Sequence, residues 1–345
     1  MSTIYEVAKL ANVSTATVSR VLNRSGYASA GVRQRVEEAA AQLDFVPSLA
    51  ARSLVNKRTH ALALVIPDIA NPFFPALARG AEDAASATRH SLILCNTDGK
   101  RSREQEYVAL LREKRVDGVI QAGTALSRKQ LQALQNSLPL VAVDRAVGQQ
   151  AVDAVVCDNR LGARLAIEHL LALGHRRIGV VAGPKGISTA EARLEGALAG
   201  LSEAGAPLTP DRIAYGDFSM EGGYLATKQL LPRLTAKREK RQFALFAAND
   251  QMAAGALWAL REAGIEVPAQ ASVVGYDDIP LARFLYPQLT TVAQPAYELG
   301  RTAVDLLVSR LAEPERPYKT VVLAPALAVR ASTARVSESD GEGGA

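Results

Sequence analysis

The chain has 345 residues, of which 48% are apolar, 22% are charged and 5% are aromatic, and its net charge is +5. This length predicts two or three packed domains and excludes a small disulfide-stapled scaffold. Cys95 and Cys157 lie in apolar runs without zinc-site spacing, and no apolar run reaches the roughly 18 residues of a membrane span. Because Glu6 and Lys9 interrupt any signal-peptide core, we expect a cytoplasmic protein without metal ions or cofactors.

Positive charge is concentrated at the beginning of the chain. Residues 1–60 hold eight basic and four acidic side chains, a net charge of +4, whereas the other 285 residues contribute +1. Such an excess at one end indicates a module that binds a polyanion, attached to a nearly neutral body. A solvated basic face explains the charge equally well, so the motifs must decide between the two.

The segment 3–22 predicts two short helices joined by a tight turn. Thr3 begins a capping box for the first helix, Asn12 suits the left-handed turn, and Ser14 can cap the second helix. A third helix over about residues 32–43 would close a small three-helix core.

The second predicted helix exposes short polar side chains where an ordinary core helix would carry long charged ones. Short side chains let a helix approach base edges closely, and an arginine on that face can reach guanine or a phosphate. The pattern predicts a helix-turn-helix headpiece over residues 1–46, although helical hairpins of other function share it. The candidate DNA contacts are Thr3, Ser14, Thr15, Ala16, Thr17, Ser19, Arg20 and Asn23.

Residues 47–60 predict a hinge helix or linker, since this segment is too short to be a stable helix by itself. Leu54 lies between Arg52 and Lys57, an arrangement that suits a wedge inserted into the DNA minor groove. A plain linker with one buried leucine is the alternative.

From residue 61 onward, continuous apolar strand-like runs alternate with amphipathic helices. This alternation predicts an α/β core of two doubly wound parallel-sheet lobes, with a ligand cleft at the carboxyl ends of the strands. The polar, Gly-rich tail 336–345 is predicted to be disordered. Within the core, 61–335, we assign about 61–160 and 292–322 to the first lobe, and about 161–291 and 323–335 to the second.

Several motifs follow one another along the chain: TIYEVAKLANVSTATVSRVLN, FVPSLAARSL, VIPDIANPFF, RVDGVI, DNRLGARLAIEHLLALGHRRIG, AANDQMAAGAL and VVGYDDI. In this order they resemble the LacI/GalR family of bacterial transcription repressors over about residues 3–333. The resemblance implies a homodimer that binds a palindromic operator through the headpiece. It also implies a core similar to periplasmic sugar-binding proteins, in which a small effector, a sugar or sugar derivative, controls operator affinity allosterically.

The resemblance also implies roles for single residues. It places Thr15 and Ala16 at the positions that mainly set the operator sequence, and Leu54 at the leucine that wedges into the minor groove. Asn249 alone is also suited to cap the following helix, and Arg193 alone to a helix surface. The implied effector contacts are of types that bond vicinal hydroxyls or cover a sugar face: Phe73, Phe74, Asp144, Arg193, Phe218, Asn249 and Asp277.

Two departures from the family pattern bear on the effector and the assembly. Ile187 stands where purine-responsive relatives have arginine, which disfavours a purine base. Arg145 beside Asp144 suits an acidic group, so a sugar acid or a sugar phosphate stays open. The tail has no leucine heptad for a tetramer, so we expect a dimer.

An enzyme and a transport protein are the competing classes. Asp277 and Asp278 suggest a carboxylate pair for acid–base chemistry, but adjacent residues on a strand point to opposite faces. The sequence also lacks a nucleophile motif and a metal-spaced histidine pair, so we predict that it is not an enzyme. A sugar transport protein would share the two lobes, but it would not need the basic headpiece. Its export would also require a signal peptide, which we do not find in the sequence.

Overall fold

The computed structural model describes residues 2–23, 26–45, 59–123, 128–145, 152–235 and 242–337. The chain divides into two compact units, and the boundary in the sequence lies between His60 and Ala61. Leu54 and most of the predicted hinge segment lie outside the described residues. Within the described ranges, no helix is long and apolar enough to cross a bilayer.

The first unit contains three helices, and the predicted helix-turn-helix fold is confirmed. They are α1 (Ile4–Leu10), α2 (Thr15–Leu22) and α3 (Ala30–Gln42). Fully buried Val7, Val18 and Val36, one from each helix, form the centre of a small apolar core. Burial of these side chains supplies the tertiary support without which helices this short are marginal in water.

The turn and caps of the headpiece follow the sequence prediction. The backbone N–H of Glu6 donates to Thr3 Oγ1, and the Glu6 carboxylate accepts the Thr3 N–H at 2.7 Å, which completes the capping box. Asn12 adopts a left-handed φ of 50° at the turn. Ser14 Oγ accepts the N–H of Thr17 at 3.1 Å and so caps α2.

The second unit consists of two lobes, each built on a six-stranded sheet. Up to the first passage between lobes, its elements are β1 (Ala61–Ile66), α4 (Phe73–Ala87), β2 (Ser91–Asn96), α5 (Arg101–Glu113), β3 (Gly118–Ala122), α6 (Arg128–Gln135), β4 (Leu140–Val143) and β5 (Asp153–Cys157). The remaining elements are α7 (Asn159–Ala172), β6 (Ile178–Ala182), α8 (Ser188–Glu203), β7 (Ile213–Tyr215), α9 (Met220–Thr235), β8 (Phe243–Ala247), α10 (Asp250–Glu262), β9 (Ala271–Asp277), β10 (Thr290–Ala293), α11 (Ala296–Ala312), β11 (Thr320–Leu323) and β12 (Ala326–Ala328).

The sheets are doubly wound, as predicted. The first has the strand order β11-β5-β4-β3-β1-β2 and is parallel throughout, and the second has the order β12-β10-β9-β8-β6-β7. Strand β12 is antiparallel to β10. Apolar clusters cover both faces of each sheet, which explains why the strands are apolar without alternation.

The chain passes between the lobes three times, after β5, after β10 and after β11. After the second passage, α11 returns to the first lobe and packs closely on α4. A Cβ atom on Gly80 would overlap the carbonyl oxygen of Tyr297, and one on Gly300 would overlap that of Leu77. Only glycine allows this backbone approach, which fixes α11 on the first lobe.

Three details differ from the sequence prediction. Helix α6 and the three-residue strand β12 were not predicted, because α6 is mainly polar and β12 is too short for a periodic signal. The predicted disorder from residue 336 is wrong for two residues, since the Val336 N–H donates to the Leu173 carbonyl and the Ser337 N–H to Gln242 Oε1. The rest of the tail lies outside the described residues.

Candidate functional site

The headpiece presents the predicted DNA contacts on or beside α2. Ser14, Ala16 and Arg20 are exposed, whereas Val18 and Val21 face the core. The side chains that complete this face are partly exposed: Thr15, Thr17, Ser19 and Asn23. Thr3 is exposed and caps α1.

Four of these residues also form hydrogen bonds with one another, in two pairs. The hydroxyls of Ser14 and Thr17 lie 2.9 Å apart and share a hydrogen bond. Asn23 ends α2 and donates its Nδ2–H to Ser19 Oγ at 3.2 Å. The face therefore consists of short, partly fixed polar groups, and Arg20 is its exposed cation among the described α2 residues.

A cavity of about 450 Å³ lies between the two lobes of the second unit. The first lobe contributes the buried pair Phe73 and Phe74, whose rings meet edge to face with centroids 5.1 Å apart. All seven predicted effector residues line this one cavity: Phe73, Phe74, Asp144, Arg193, Phe218, Asn249 and Asp277. The structure therefore brings together residues that are up to 204 positions apart in sequence, from Phe73 to Asp277.

Strand ends place the acidic groups of the cavity. Asp144 directly follows β4, and Asp277 is the last residue of β9, so both lie at carboxyl ends of parallel strands. Their φ angles are 73° and 112°, and that of Phe218 is 72°. Such left-handed backbone is costly for residues with a Cβ atom, and strain of this kind concentrates at binding sites.

Arg193 is buried and is held by several groups at once. Its Nε donates to Asn159 Oδ1 at 2.8 Å, and its Nη1 donates to the Ala248 carbonyl at 2.6 Å and to Asp277 Oδ1 at 3.3 Å. Its guanidinium carbon lies 3.9 Å from the centre of the Tyr276 ring. The alternative of a surface position for Arg193 is therefore wrong.

Asn249 caps a helix and also lies in the cavity wall. Its Oδ1 accepts the N–H of Met252 at 2.9 Å, which caps α10, and it also lines the cavity. Its Nδ2 donates to the Phe218 carbonyl at 2.9 Å and so supports the strained backbone at Phe218. An amide nitrogen carries two hydrogens, so a second donor stays available to a ligand.

Acidic side chains outnumber basic ones in the cavity wall. Burial raises the pKa of Asp277 to about 6, against the opposing effect of Arg193, and burial raises the pKa of Asp144 as well. The two arginines in the wall are Arg145 and Arg193. Five aspartates face them around the cavity: Asp68, Asp98, Asp144, Asp217 and Asp277.

Asp277 and Asp278 do not form a carboxylate pair. The Asp278 carboxylate accepts a hydrogen bond from Arg330 at 2.6 Å and lies 3.7 Å from Arg283, whereas Asp277 faces Arg193. The two acids therefore have separate partners, but strand alternation is not the reason, since Asp278 lies beyond the end of β9 with a φ of 55°.

The cavity also contains polar residues that sequence reasoning missed. Asp68 and Asp98 follow β1 and β2 closely, so the rule that ligands bind at strand ends would have found them. Gln294 directly follows β10, so the same rule applies to it. The further missed polar residues are Asn71, Thr189, Asp217, Ser219 and Gln251.

A helix-turn-helix unit on the same chain as a two-lobed unit with an interlobe cavity defines a class, the ligand-responsive DNA-binding proteins. Comparison with known proteins agrees. Residues 3–48 match the family of bacterial regulatory proteins called lacI, and residues 167–333 match the periplasmic binding protein-like domain. The chain belongs to the LacI family of bacterial transcriptional regulators.

Among its relatives are repressors of two kinds. It is 41% identical to the ribose operon repressor of Halalkalibacterium halodurans over 90% of this chain and 91% of that one. It is 34% identical to the repressor PurR of Aliivibrio salmonicida over 96% of this chain and 99% of that one. These relatives are repressors rather than enzymes, and the chain is a DNA-binding regulator.

Solved structures support the same assignment. The lac repressor dimer bound to operator and an anti-inducer is similar with a TM-score of 0.86 and 30% identity, over 96% of this chain and 99% of that one. A LacI-family regulator from Enterococcus faecium with bound ribose is similar with a TM-score of 0.72 and 35% identity, over 80% of this chain and 100% of that one.

Proposed function

We propose that the protein is a homodimeric repressor that binds a palindromic operator. An uncharged sugar in the interlobe cavity raises or lowers its affinity for that operator. The observation that carries the proposal is the cavity itself, where carboxylates, an amide and a guanidinium surround aromatic rings. The effector contacts in this proposal are Phe73, Phe74, Asp144, Arg193, Phe218, Asn249 and Asp277, and Gln294 is added to them.

The charge of the cavity wall supports an uncharged effector over a sugar acid or a sugar phosphate. An anionic ligand would meet five aspartates, two of which have a pKa raised by burial, so their charge is poorly solvated already. Arg193 forms an ion pair with Asp277, and the negative charge of Asp144 offsets the positive charge of Arg145, so neither arginine offers an uncompensated charge to an anion. A neutral polyol instead donates its hydroxyl hydrogens to these carboxylates.

A pentose such as ribose is the sugar that the comparisons favour. The repressor of H. halodurans is named for a ribose operon, and the E. faecium structure contains ribose. PurR is the competing relative, but apolar Ile187 lines the cavity where the resemblance gives purine-responsive relatives an arginine. Calorimetry with D-ribose, ribose 5-phosphate and hypoxanthine separates the three classes, and tighter binding of either of the last two would refute the proposal.

The pKa of Asp277 predicts how effector binding depends on pH. A sugar hydroxyl donates to the ionised carboxylate, so binding favours the deprotonated form, and the free protein loses that form below about pH 6. We expect D-ribose affinity to fall by up to about tenfold between pH 7 and pH 5. Calorimetry at both pH values tests this, and Asp277→Asn is expected to remove most of the change. A constant affinity would contradict the assignment of Asp277.

We assign operator recognition to the headpiece, residues 1–46, through Thr3, Ser14, Thr15, Ala16, Thr17, Ser19, Arg20 and Asn23, and to Leu54 in the hinge segment. Sequencing the DNA that the protein retains from a random library would define the operator. Substitutions at Thr15 and Ala16 are expected to change that sequence, because contacts to base edges determine which sequence is bound. Contacts to phosphates only fix where the protein lies on the duplex.

Salt dependence tests the electrostatic part of operator binding. Each phosphate contact is expected to lower log K by about 0.9 for each tenfold rise in salt, so a dimer with several contacts shows a steep slope. Arg20→Ala should reduce the slope, and fluorescence anisotropy on a labelled operator measures it. An affinity that does not depend on salt would be incompatible with this mode of binding.

Exposed aromatic side chains of the second lobe support the homodimer. Trp258 is 63% exposed, Phe284 is 83% exposed and Tyr286 is fully exposed. Large exposed aromatic residues of this kind are typical of association surfaces. We expect Phe284→Glu to shift the protein towards monomer in sedimentation velocity and to weaken operator binding, and an unchanged dimer would remove this residue from the interface.

A regulator of this kind works on the chromosome, so we propose the cytoplasm as its compartment. We also propose that the segment 47–60 links the headpiece to the core, 61–335, with lobes of about 61–160 and 292–322, and about 161–291 and 323–335.

A further inference from the structure

The C-terminal segment, residues 332–337, lies against the second lobe at the end away from the cavity. The Val273 N–H donates to the Ser332 carbonyl at 2.8 Å, and Ser332 Oγ donates to the Val273 carbonyl at 2.6 Å. Val273 is near the beginning of β9, whereas the cavity residue Asp277 ends that strand. The segment is therefore attached by specific hydrogen bonds, remote from the effector cavity.

His175, which follows α7, holds this segment with one ring nitrogen. Its Nε2 lies 3.1 Å from the Ala334 carbonyl oxygen and 2.8 Å from Ser272 Oγ, and the Ala334 N–H donates to the same hydroxyl at 3.1 Å. Because a carbonyl only accepts, Nε2 carries the hydrogen of the neutral ring. His175 is 2% exposed, and its Nδ1 is buried without a hydrogen-bond partner among the described residues. A proton on Nδ1 would therefore add a buried charge and an unsatisfied donor.

His169 gives the segment a second contact from α7. Its Nε2 lies 3.0 Å from Thr333 Oγ1, which in turn lies 3.2 Å from Thr290 Oγ1 of β10. Burial lowers the pKa of His169. Burial lowers the pKa of His175 as well; the hydrogen bond to the Ala334 carbonyl opposes this effect, and the charge of a protonated His169 adds to it. Both rings therefore resist protonation while the segment is docked.

The surroundings of the two rings offer a positive charge little compensation. The strands β9 and β10 present the hydroxyls of Ser272 and Thr290 to this cluster. In the described part of the chain, no carboxylate shifts the pKa of either ring. The charged groups on α7, on the turn after it and on the end of the chain contact other groups or lie exposed: Arg164, Glu168, Arg176, Arg177, Arg330 and Arg335.

We propose that His169 and His175 form a pH-sensitive clasp, which holds the C-terminal segment on the second lobe while both rings are neutral and releases it when they bind protons. Once the segment is released, water reaches the rings, and the pKa of a solvated histidine is about 6.5. Because the released state binds protons more readily, the docked state is fully favoured above about pH 6.5 and loses stability as the pH falls below that value. The clasp does not depend on the proposed effector.

Hydrogen–deuterium exchange in the full-length protein measures release of the segment. The probes are the backbone N–H groups of Ala334 and Val336, which are hydrogen-bonded in the docked state. After correction for intrinsic exchange rates, we expect their protection to fall between pH 7.5 and pH 5.5. The fall is about tenfold if one histidine controls release and up to about a hundredfold if both do. Protection of the buried strand β8 should stay within about threefold.

Replacing both histidines tests whether they are the proton acceptors. Glutamine can donate from an amide N–H near the position of Nε2 but does not bind a proton in this pH range. In the variant with His169→Gln and His175→Gln, protection at pH 5.5 should stay within about threefold of that at pH 7.5. His90→Gln is the matched control, since His90 lies between α4 and β2 in the first lobe and contacts Thr88. It should keep the wild-type dependence on pH.

A measurement on the wild type covers the case in which the double variant does not fold. The chain has four histidines, so NMR of protein with labelled histidine rings can follow each titration. We expect the rings of His169 and His175 to titrate below about pH 6.5. Titration of both rings at or above that value would overturn the inference. So would protection of the segment that does not change with pH, an equal loss of protection in β8, or an unaltered pH dependence in the double variant.

Discussion

Asp277→Ala is expected to weaken D-ribose binding roughly ten- to hundredfold, because a lost charge-assisted hydrogen bond is worth about 1.5–3 kcal/mol. The Asp277 carboxylate is buried at the end of β9, lines the cavity and is already oriented by Arg193 and Gln294. It therefore meets a ligand hydroxyl without first having to be ordered. Calorimetry with D-ribose, alongside operator affinity without ribose, measures the effect.

Asp278→Ala is the matched control for this prediction. Asp278 is the next residue, but its carboxylate is bonded to Arg330 rather than directed at Arg193. We expect its replacement to leave ribose affinity within about threefold of the wild type, since Asp278 does not line the cavity and only its contacts with Arg330 and Arg283 are lost. If Asp277→Ala binds ribose normally, or if it loses operator binding without ribose through misfolding, the assignment of Asp277 as a ligand contact is wrong.

The sequence predicts the framework of the molecule because its strongest signals are local. The capping box at Thr3, the left-handed turn at Asn12 and the cap at Ser14 depend on residues three or four positions apart. The apolar strands need no alternation, since both faces of each parallel sheet are covered. These features were predicted without any knowledge of distant contacts.

The details of the cavity wall depend on contacts between distant residues, which local patterns do not contain. Arg193 is a helical residue whose four partners lie at strand ends and on the first passage between lobes, so its burial cannot be read from α8 alone. Asn159 and Gln294 look like an ordinary helix start and an ordinary strand end in the sequence. The positive φ angles of Asp144, Phe218 and Asp277 arise from tertiary constraint, since each residue type prefers other conformations.

Family resemblance supplied what local reasoning could not. All seven implied effector residues line one cavity, although Phe73 and Asp277 belong to different lobes. The resemblance did not include the acidic residues Asp68 and Asp98, which favour a neutral sugar over the sugar acid and the sugar phosphate that the sequence left open. Counting every charge at the strand ends would have reached that conclusion from the sequence.

Asp153→Ala is expected to have the largest effect on stability. Asp153 begins β5 and is fully buried, and its carboxylate accepts from Arg310 Nε at 2.9 Å, from Arg316 Nη1 and Nη2 at 3.0 and 2.9 Å, and from the Lys319 N–H at 2.8 Å. These bonds hold the end of α11 and the segment that leads into β11 against β5. The residue therefore fastens the part of the first lobe that precedes the third passage of the chain.

Removing this carboxylate leaves the guanidinium groups of Arg310 and Arg316, which are 3% and 14% exposed, without their counter-ion. Breaking a buried ion pair from one side costs about 3–5 kcal/mol, because the remaining charge stays desolvated. Asp305→Ala is the control, since Asp305 forms a solvent-exposed pair with Arg301 at 3.4 Å, and we expect its removal to leave stability nearly unchanged. Urea unfolding of the core, followed by circular dichroism, compares the two variants with the wild type. A loss below about 1 kcal/mol for Asp153→Ala would mean that water or a rearranged backbone carbonyl replaces the carboxylate, and that this cluster does not fasten β11 to the lobe.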